Sequence, residues 1–313
     1  MKKLAFVFPG QGSQKVGMLS DLAAAYPSLL ETFDEASETL GYAMWQLIQQ
    51  GPQEDINLTE RTQPILLASS VALWRLWQSC SGPTPNLMAG HSLGEWSALV
   101  CSGVVQFTDA LKIVRARGQY MQQAVPLGEG AMAAIIGLED PDIIDACAQA
   151  SGPGVVDAVN FNAPGQVVIA GSSSAVERAI ELCKQAGAKR ALPLPVSAPF
   201  HTSLMRPAAD QLSELVNSTV FSAPSIPVVH NVHGLVEDDP QKISALMLEQ
   251  IYRPVRWVDC VNYLSDSGIT DLLECGPGRV LSGLTKRINR EINASATDDP
   301  ASFEASLQQY MAC

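Results

Sequence analysis

The chain is short of the residues on which several large functional classes depend. Basic residues come first: 20 Lys+Arg stand against 32 Asp+Glu, a formal charge of −12. That balance excludes a general nucleic-acid or anionic-membrane binder, which needs a positive field. Paired cysteines are also missing. The seven cysteines (80, 101, 147, 183, 260, 275 and 313) form no CxxC, and none stands at zinc-ligand spacing from a histidine. An odd, scattered set reads as free thiols of a reducing compartment, not as a disulfide framework. No stretch approaches the roughly 18 consecutive apolar residues of a membrane span. Met1-Lys2-Lys3-Leu4-Ala5-Phe6-Val7-Phe8 opens like a secretion signal, but Pro9-Gly10-Gln11-Gly12 ends its apolar run too early. The chain therefore reads as a soluble cytoplasmic protein. Histidine is scarce, with four in 313 residues, so any imidazole chemistry has few candidates.

What is present is a large apolar complement, 47% of residues against 17% charged, enough for one large domain or two unequal ones. Leu4–Phe8 is a continuous apolar run stopped by Pro9 and Gly10, as in a parallel strand buried on both faces. A helical stretch over Met18–Leu40 follows. Asn86–Gly90 reads as a second strand, with helices over Glu95–Ser102 and Phe107–Ala124. From Gly128 the texture changes. Ala131–Leu138 predicts a strand and Pro141–Ala150 a helix with Asp140 as N-cap. Val155–Phe161 and Gln166–Ala170 predict strands around the turn Asn162-Ala163-Pro164-Gly165, followed by a helix over Ser174–Ala186 and a strand over Ala191–Val196. That β-α-β-β-α-β order is ferredoxin-like. Beyond it, Thr202–Val216 and Val280–Ile288 read as helices and Pro227–Asn231 and Asp271–Glu274 as strands. The expected architecture is a discontinuous α/β core with a parallel sheet, residues 1–126 and 198–313, interrupted by a small α+β unit over 127–197.

Gly90-His91-Ser92-Leu93-Gly94 lies between a predicted strand and a predicted helix, the setting in which G-x-S-x-G forms a nucleophile elbow. The bland alternative is a strand-to-helix turn with an N-capping serine. A serine nucleophile needs a base. His91 adjoins Ser92 and points away from it; His230 and His233, three apart, read as loop or surface residues without a metal cluster around them. His201, in the bend Ser197-Ala198-Pro199-Phe200-His201-Thr202, is the candidate base. No acid stands out behind it: Asp109 and Asp157 are equally well explained as helix and strand-end residues. Pro9-Gly10-Gln11-Gly12-Ser13-Gln14 lacks the third glycine of a dinucleotide loop and reads as a flexible turn, with Gln11 as a second oxyanion donor beside Leu93. Arg117 is either a solvated helix charge or a two-pronged grip for a carboxylate.

Gly10-Gln11-Gly12-Ser13-Gln14, Gly90-His91-Ser92-Leu93-Gly94, Arg117 and Pro199-Phe200-His201, together with Asn160-Phe161-Asn162-Ala163-Pro164-Gly165-Gln166 and Glu274-Cys275-Gly276-Pro277-Gly278, resemble the malonyl-CoA:acyl carrier protein transacylases of bacterial fatty-acid synthesis, essentially end to end. The resemblance implies a hydrolase-like α/β core with parallel sheet plus an inserted ferredoxin-like subdomain, and malonyl transfer from malonyl-CoA to acyl carrier protein. It implies Ser92 as the acylated residue and His201 as its base, with the Gln250 main-chain carbonyl orienting the imidazole. Gln11 and Leu93 would form the oxyanion hole, Arg117 would hold the malonyl carboxylate, and Met121, Asn160 and Phe200 would line the pocket. Phe200 stands where some relatives carry serine, and in related polyketide acyltransferases phenylalanine there accompanies malonyl. No cofactor and no metal are expected, since the coenzyme A thioester is substrate and phosphopantetheine rides on the partner. A monomer is expected, with Lys286, Arg287 and Arg290, and Lys189 and Arg190, as carrier-docking candidates or plain surface charges. The competing functional readings are a serine hydrolase on the same elbow and a non-catalytic carrier-binding scaffold.

Overall fold

The computed structural model describes residues 3–196 and 198–311. Met1, Lys2, Ser197 and Cys313, on which readings above touch, lie outside the described residues. Nine strands are present among those described: β1 Leu4–Phe8, β2 Leu87–Gly90, β3 Gly130–Ile136, β4 Val156–Ala163, β5 Gln166–Ser172, β6 Arg190–Pro193, β7 Val228–Val229, β8 Asp271–Glu274 and β9 Asn293–Ala296. They form two sheets. One is parallel, in the order β7-β2-β1-β8-β9; the other runs β4-β5-β3-β6 with antiparallel pairing throughout.

The alternation of β1 explains why its sequence is apolar without interruption. Leu4, Phe6 and Phe8 enter a core shared with the helices Leu29–Leu40 and Thr59–Ser79, while Ala5 and Val7 enter a second core with Trp257, Val261 and Leu281. Both faces of the parallel sheet are thus covered, as crossover connections require. The chain leaves this sheet after the helix Phe107–Gln123 and returns to it at β7. Between these points lies the second sheet, whose order is that of a β-α-β-β-α-β unit. Ala133 and Ile135 of β3 face the helices Asp140–Ala150 and Ser173–Gln185, and Met132 faces the opposite side together with Leu194, Val196 and Phe200. Main-chain hydrogen bonds tie the units together: Phe161 donates to the Val255 carbonyl at 3.0 Å, and Val255 donates to that of Val159 at 2.8 Å.

Several element readings are corrected. The stretch over Met18–Leu40 is two helices, Ser20–Ala25 and Leu29–Leu40. Pro27 stands in the break, where its ring and missing N–H oppose a continuous helix. Asp140 is the first helical residue, with Glu139 at the cap and no side-chain capping bond. β6 ends at Pro193, short of Val196. The helix expected from Thr202 begins as a 3₁₀ turn, Ser203–Met205, before Arg206–Ser218. Helices Thr59–Ser79, Pro240–Glu249, Trp257–Asp266 and Pro300–Met311 and strand β9 carry no sequence reading at all.

Candidate active site

Ser92 sits between β2 and the helix Leu93–Cys101 with φ 50°, ψ −107°. The turn is sharp enough that a Cβ at Gly90 would lie 1.9 Å from the Gly94 carbonyl carbon, and a Cβ at Gly94 would lie 2.0 Å from the Phe8 carbonyl oxygen. Both glycines are therefore required by space alone. Ser92 Oγ lies 2.8 Å from Nε2 of His201, which is itself held at φ 64°. On the far side of the ring, Nδ1 is 2.8 Å from the Gln250 main-chain carbonyl. A carbonyl only accepts, so the ring proton resides on Nδ1 and leaves Nε2 free to take the Ser92 hydroxyl hydrogen. Burial first, and then the nearby Arg117 charge, pull the His201 pKa down to about 3. The imidazole is neutral at physiological pH, the form a general base needs.

Arg117 enters from the helix Phe107–Gln123 and is 1% exposed. Its Nη1 donates to Gln63 Oε1 at 2.8 Å; its Nη2 donates to Gln250 Oε1 at 2.9 Å and reaches Ser92 Oγ at 3.3 Å. Burial lowers its pKa to about 10, against the opposing charge of Glu95, so the guanidinium stays charged at neutral pH. Gln63 was not legible as a site residue. A pocket of about 610 Å³, counted to its open mouth, gathers Ser92, His201 and Arg117. Gln11, Leu93, Met121, Asn160 and Phe200 line it as well. Leu93 opens a helix, where main-chain N–H groups lack intrahelical partners. Asn160 Oδ1 is buried without a hydrogen-bond partner among the described residues. Met132, Leu194 and Val196 close the wall from the second sheet's side.

His91 points elsewhere: its Nε2 is 2.7 Å from Asn162 Oδ1. Asp109 pairs with Lys112 at 3.5 Å on the surface, and Asp157 is exposed on β4. The reading of His230 as a loop or surface residue is corrected. It lies just after β7 but is wholly buried, with Nδ1 2.7 Å from Oε1 of Glu95. Glu95 is the carboxylate that sequence analysis missed. It too is wholly buried, and its Oε2 accepts from Gln250 Nε2 at 2.6 Å. The only sequence signal was its place three residues after Ser92, which imitates a capping box; here its carboxylate turns inward instead. Among the described residues no cluster of three or more His, Cys, Asp or Glu could hold a metal ion.

A half-buried elbow serine on a hydrolase-like sheet, hydrogen-bonded to a neutral imidazole and within reach of a guanidinium, is the arrangement that serine acyl-transfer chemistry requires. The comparisons with known proteins agree. The acyl transferase domain model matches residues 5–284. The malonyl CoA-acyl carrier protein transacylase of Salmonella typhimurium is 56% identical over 309 residues, 99% of this chain and 100% of its own. An acyl carrier protein S-malonyltransferase from Vibrio cholerae, solved at 1.7 Å, superposes with a TM-score of 0.95 at 58% identity, covering 97% of this chain and 99% of its own. A malonyl-transacylase solved in complex with its type II PKS acyl-carrier protein gives 0.97 at 53% identity, covering 98% and 100%. The chain belongs to the malonyl-CoA:acyl carrier protein transacylases of the acyl transferase family.

Proposed function

We propose that this chain transfers the malonyl group of malonyl-CoA to the phosphopantetheine thiol of acyl carrier protein in two half-reactions through a malonyl-Ser92 ester, supplying malonyl-carrier for fatty-acid synthesis. The observation that carries the reading is the placement of Ser92 Oγ 2.8 Å from His201 Nε2 and 3.3 Å from Arg117 Nη2. The reacting hydroxyl, its base and a carboxylate grip thus share one chamber.

In the first half-reaction Ser92 Oγ attacks the thioester carbonyl and passes its proton to His201 Nε2. The tetrahedral oxyanion is held by the main-chain N–H groups of Gln11 and Leu93, each worth about 3–4 kcal/mol of barrier. The C–S bond then breaks, and His201 returns the proton to the departing thiolate. The imidazolium formed in between is stabilised by the Gln250 carbonyl at Nδ1 rather than by a triad carboxylate. The carrier thiol repeats the sequence in reverse, giving its proton to His201 and regenerating the Ser92 hydroxyl. Arg117 holds the malonyl carboxylate throughout. An acetyl group would leave the guanidinium unmatched in a dry pocket, which sets the preference for the dicarboxylic unit. Met121, Asn160 and Phe200 shape the space beside it. No cofactor enters this cycle.

The proposed cycle needs no residue beyond those already gathered around Ser92, so we take the working unit to be a monomer. Among the described residues no helix is long and apolar enough to cross a membrane, and the six described cysteines are free thiols, in keeping with a cytoplasmic enzyme. The acidic carrier meets an acidic chain, so docking calls for a local basic patch. Lys286, Arg290, Lys189 and Arg190 are exposed, and Arg287 reaches across to Gln166 and the Pro164 carbonyl of the inserted unit. We assign this surface to the carrier.

Intact-protein mass spectrometry after mixing with malonyl-CoA tests the reading. A malonyl adduct on Ser92 that persists until carrier protein is added is expected. Free malonate without an adduct would make the protein a hydrolase.

A further inference from the structure

Ser92 occupies a left-handed conformation that a residue with a Cβ rarely adopts, so its surroundings must over-determine it. Its N–H belongs neither to the sheet nor to the helix ladder. Asn231 takes it: Oδ1 accepts from Ser92 N–H at 2.7 Å, while Nδ2 donates to the Gly90 carbonyl at 2.7 Å and closes the elbow. On the other side Gln250 Nε2 donates to the Ser92 carbonyl at 2.9 Å. Both grips are amides, and an amide grips only if its two ends face the right way. One carboxylate reaches both residues, the Gln250 amide through its NH₂ and Asn231 through its main chain. Glu95 Oε2 accepts from Gln250 Nε2 at 2.6 Å and from the main-chain N–H of Asn231 at 3.1 Å, and His230 fixes Oε1. Because a carboxylate offers acceptors only, it turns the Gln250 NH₂ inward, and the amide oxygen must then face Arg117. Glu95, His230, Asn231 and Gln250 are all wholly buried.

We infer that Glu95 is a positioning residue: its buried carboxylate orients the Gln250 amide and anchors the Asn231 main chain, and these two residues hold Ser92 by its carbonyl and N–H in the conformation that presents Oγ to His201. The inference rests on the reading of Ser92 as the acylated residue. An ordinary triad places its acid behind the imidazole; here the acid stands behind the nucleophile's main chain.

Glu95→Gln keeps the shape and replaces one acceptor oxygen with an NH₂. In quenched acylation followed by intact mass, its rate constant should fall about 100-fold, equally for malonyl-CoA and acetyl-CoA, with half-saturation shifted less than about threefold. Glu95→Asp, which keeps the charge at shorter reach, should recover part of that loss. Glu274→Gln is the control for stability alone. Glu274 accepts the N–H groups of Leu281 and Ser282 at 3.0 and 2.8 Å, at the head of the helix Val280–Ile288. That variant should melt lower and acylate at the parent rate. Acylation by Glu95→Gln within about threefold of the parent, or a loss that Glu274→Gln matches, overturns the inference. Should Glu95→Gln not fold, Asn231→Ala carries the test from the other side of Ser92: a loss of about tenfold or more supports the inference, and an unchanged rate refutes it. Ser92→Ala run alongside separates the two claims. An adduct surviving there refutes the nucleophile itself, whereas a dead Ser92→Ala beside a full-rate Glu95→Gln refutes only the positioning role.

Discussion

Replacing Arg117 by alanine should convert a malonyl-selective enzyme into an indifferent one. The guanidinium is buried, its two contacts with amide oxygens are to the neutral Gln63 and Gln250, and its Nε has no hydrogen-bond partner among the described residues. Its charge is therefore unmatched by any direct carboxylate until a dicarboxylic acyl group arrives. Breaking a buried pair by removing one member costs about 3–5 kcal/mol. At 1.36 kcal/mol per decade that is a loss of roughly 10²- to 10³-fold or more in kcat/KM for malonyl-CoA. Acetyl-CoA offers the arginine no counter-ion. Its loss should be limited to what the vacated volume and the loosened Gln250 side chain impose, about tenfold at most. The measurement is acyl-Ser92 formation from each thioester, quenched at intervals and read by intact mass. The ratio of the two kcat/KM values cancels any general damage to the fold. If both substrates lose the same factor, the guanidinium is not the carboxylate grip, and its burial and unmatched charge serve some other end.

His201→Ala should slow acylation by about 10²- to 10⁴-fold with either donor; a near-normal burst would assign the base elsewhere. Because burial and Arg117 depress the His201 pKa to about 3, acidification leaves the base neutral. With acetyl-CoA, which does not neutralise Arg117, acylation at pH 5 should stay within about twofold of its value at pH 7. A falling limb centred on the ordinary imidazole value of 6.5 would contradict this. Lys286→Glu combined with Arg287→Glu should raise KM for carrier protein about tenfold and leave that for malonyl-CoA unchanged. An unaltered carrier KM would clear this helix of the docking role.

Sequence legibility follows how local the determinant is. Ser92 stood out because the steric demand for Gly90 and Gly94 is written within five residues. The antiparallel unit was legible because β3 to β6 and their two helices follow one another with short turns. By contrast, Thr59–Ser79 buries nearly its whole circumference and carries Pro64, so it shows no polar face with which to mark a helical period. Gln63 was hidden with it. Glu95, His230 and Asn231 look like ordinary polar residues of a helix start and a loop. Only the docking of the β7 loop and the Gln250 turn onto the elbow, from 135 or more residues away, makes them interior. A carboxylate was sought behind His201, whereas the fold buries one, Glu95, in the helix that follows Ser92.

The wall formed by Met132, Leu194 and Val196 gives the inserted unit a chemical consequence. On the proposed reading, the parallel-sheet core already contains what ester cleavage needs: Ser92, His201 as its base, and the Gln11 and Leu93 N–H groups. What it lacks is a lid on one side. On the proposed cycle, a malonyl-Ser92 ester without that wall would lie more open to water and to loss as free acid. By borrowing apolar side chains from the second sheet's side, the fold gives the proposed acyl-serine a sheltered wall behind which to wait for the addressee's thiol.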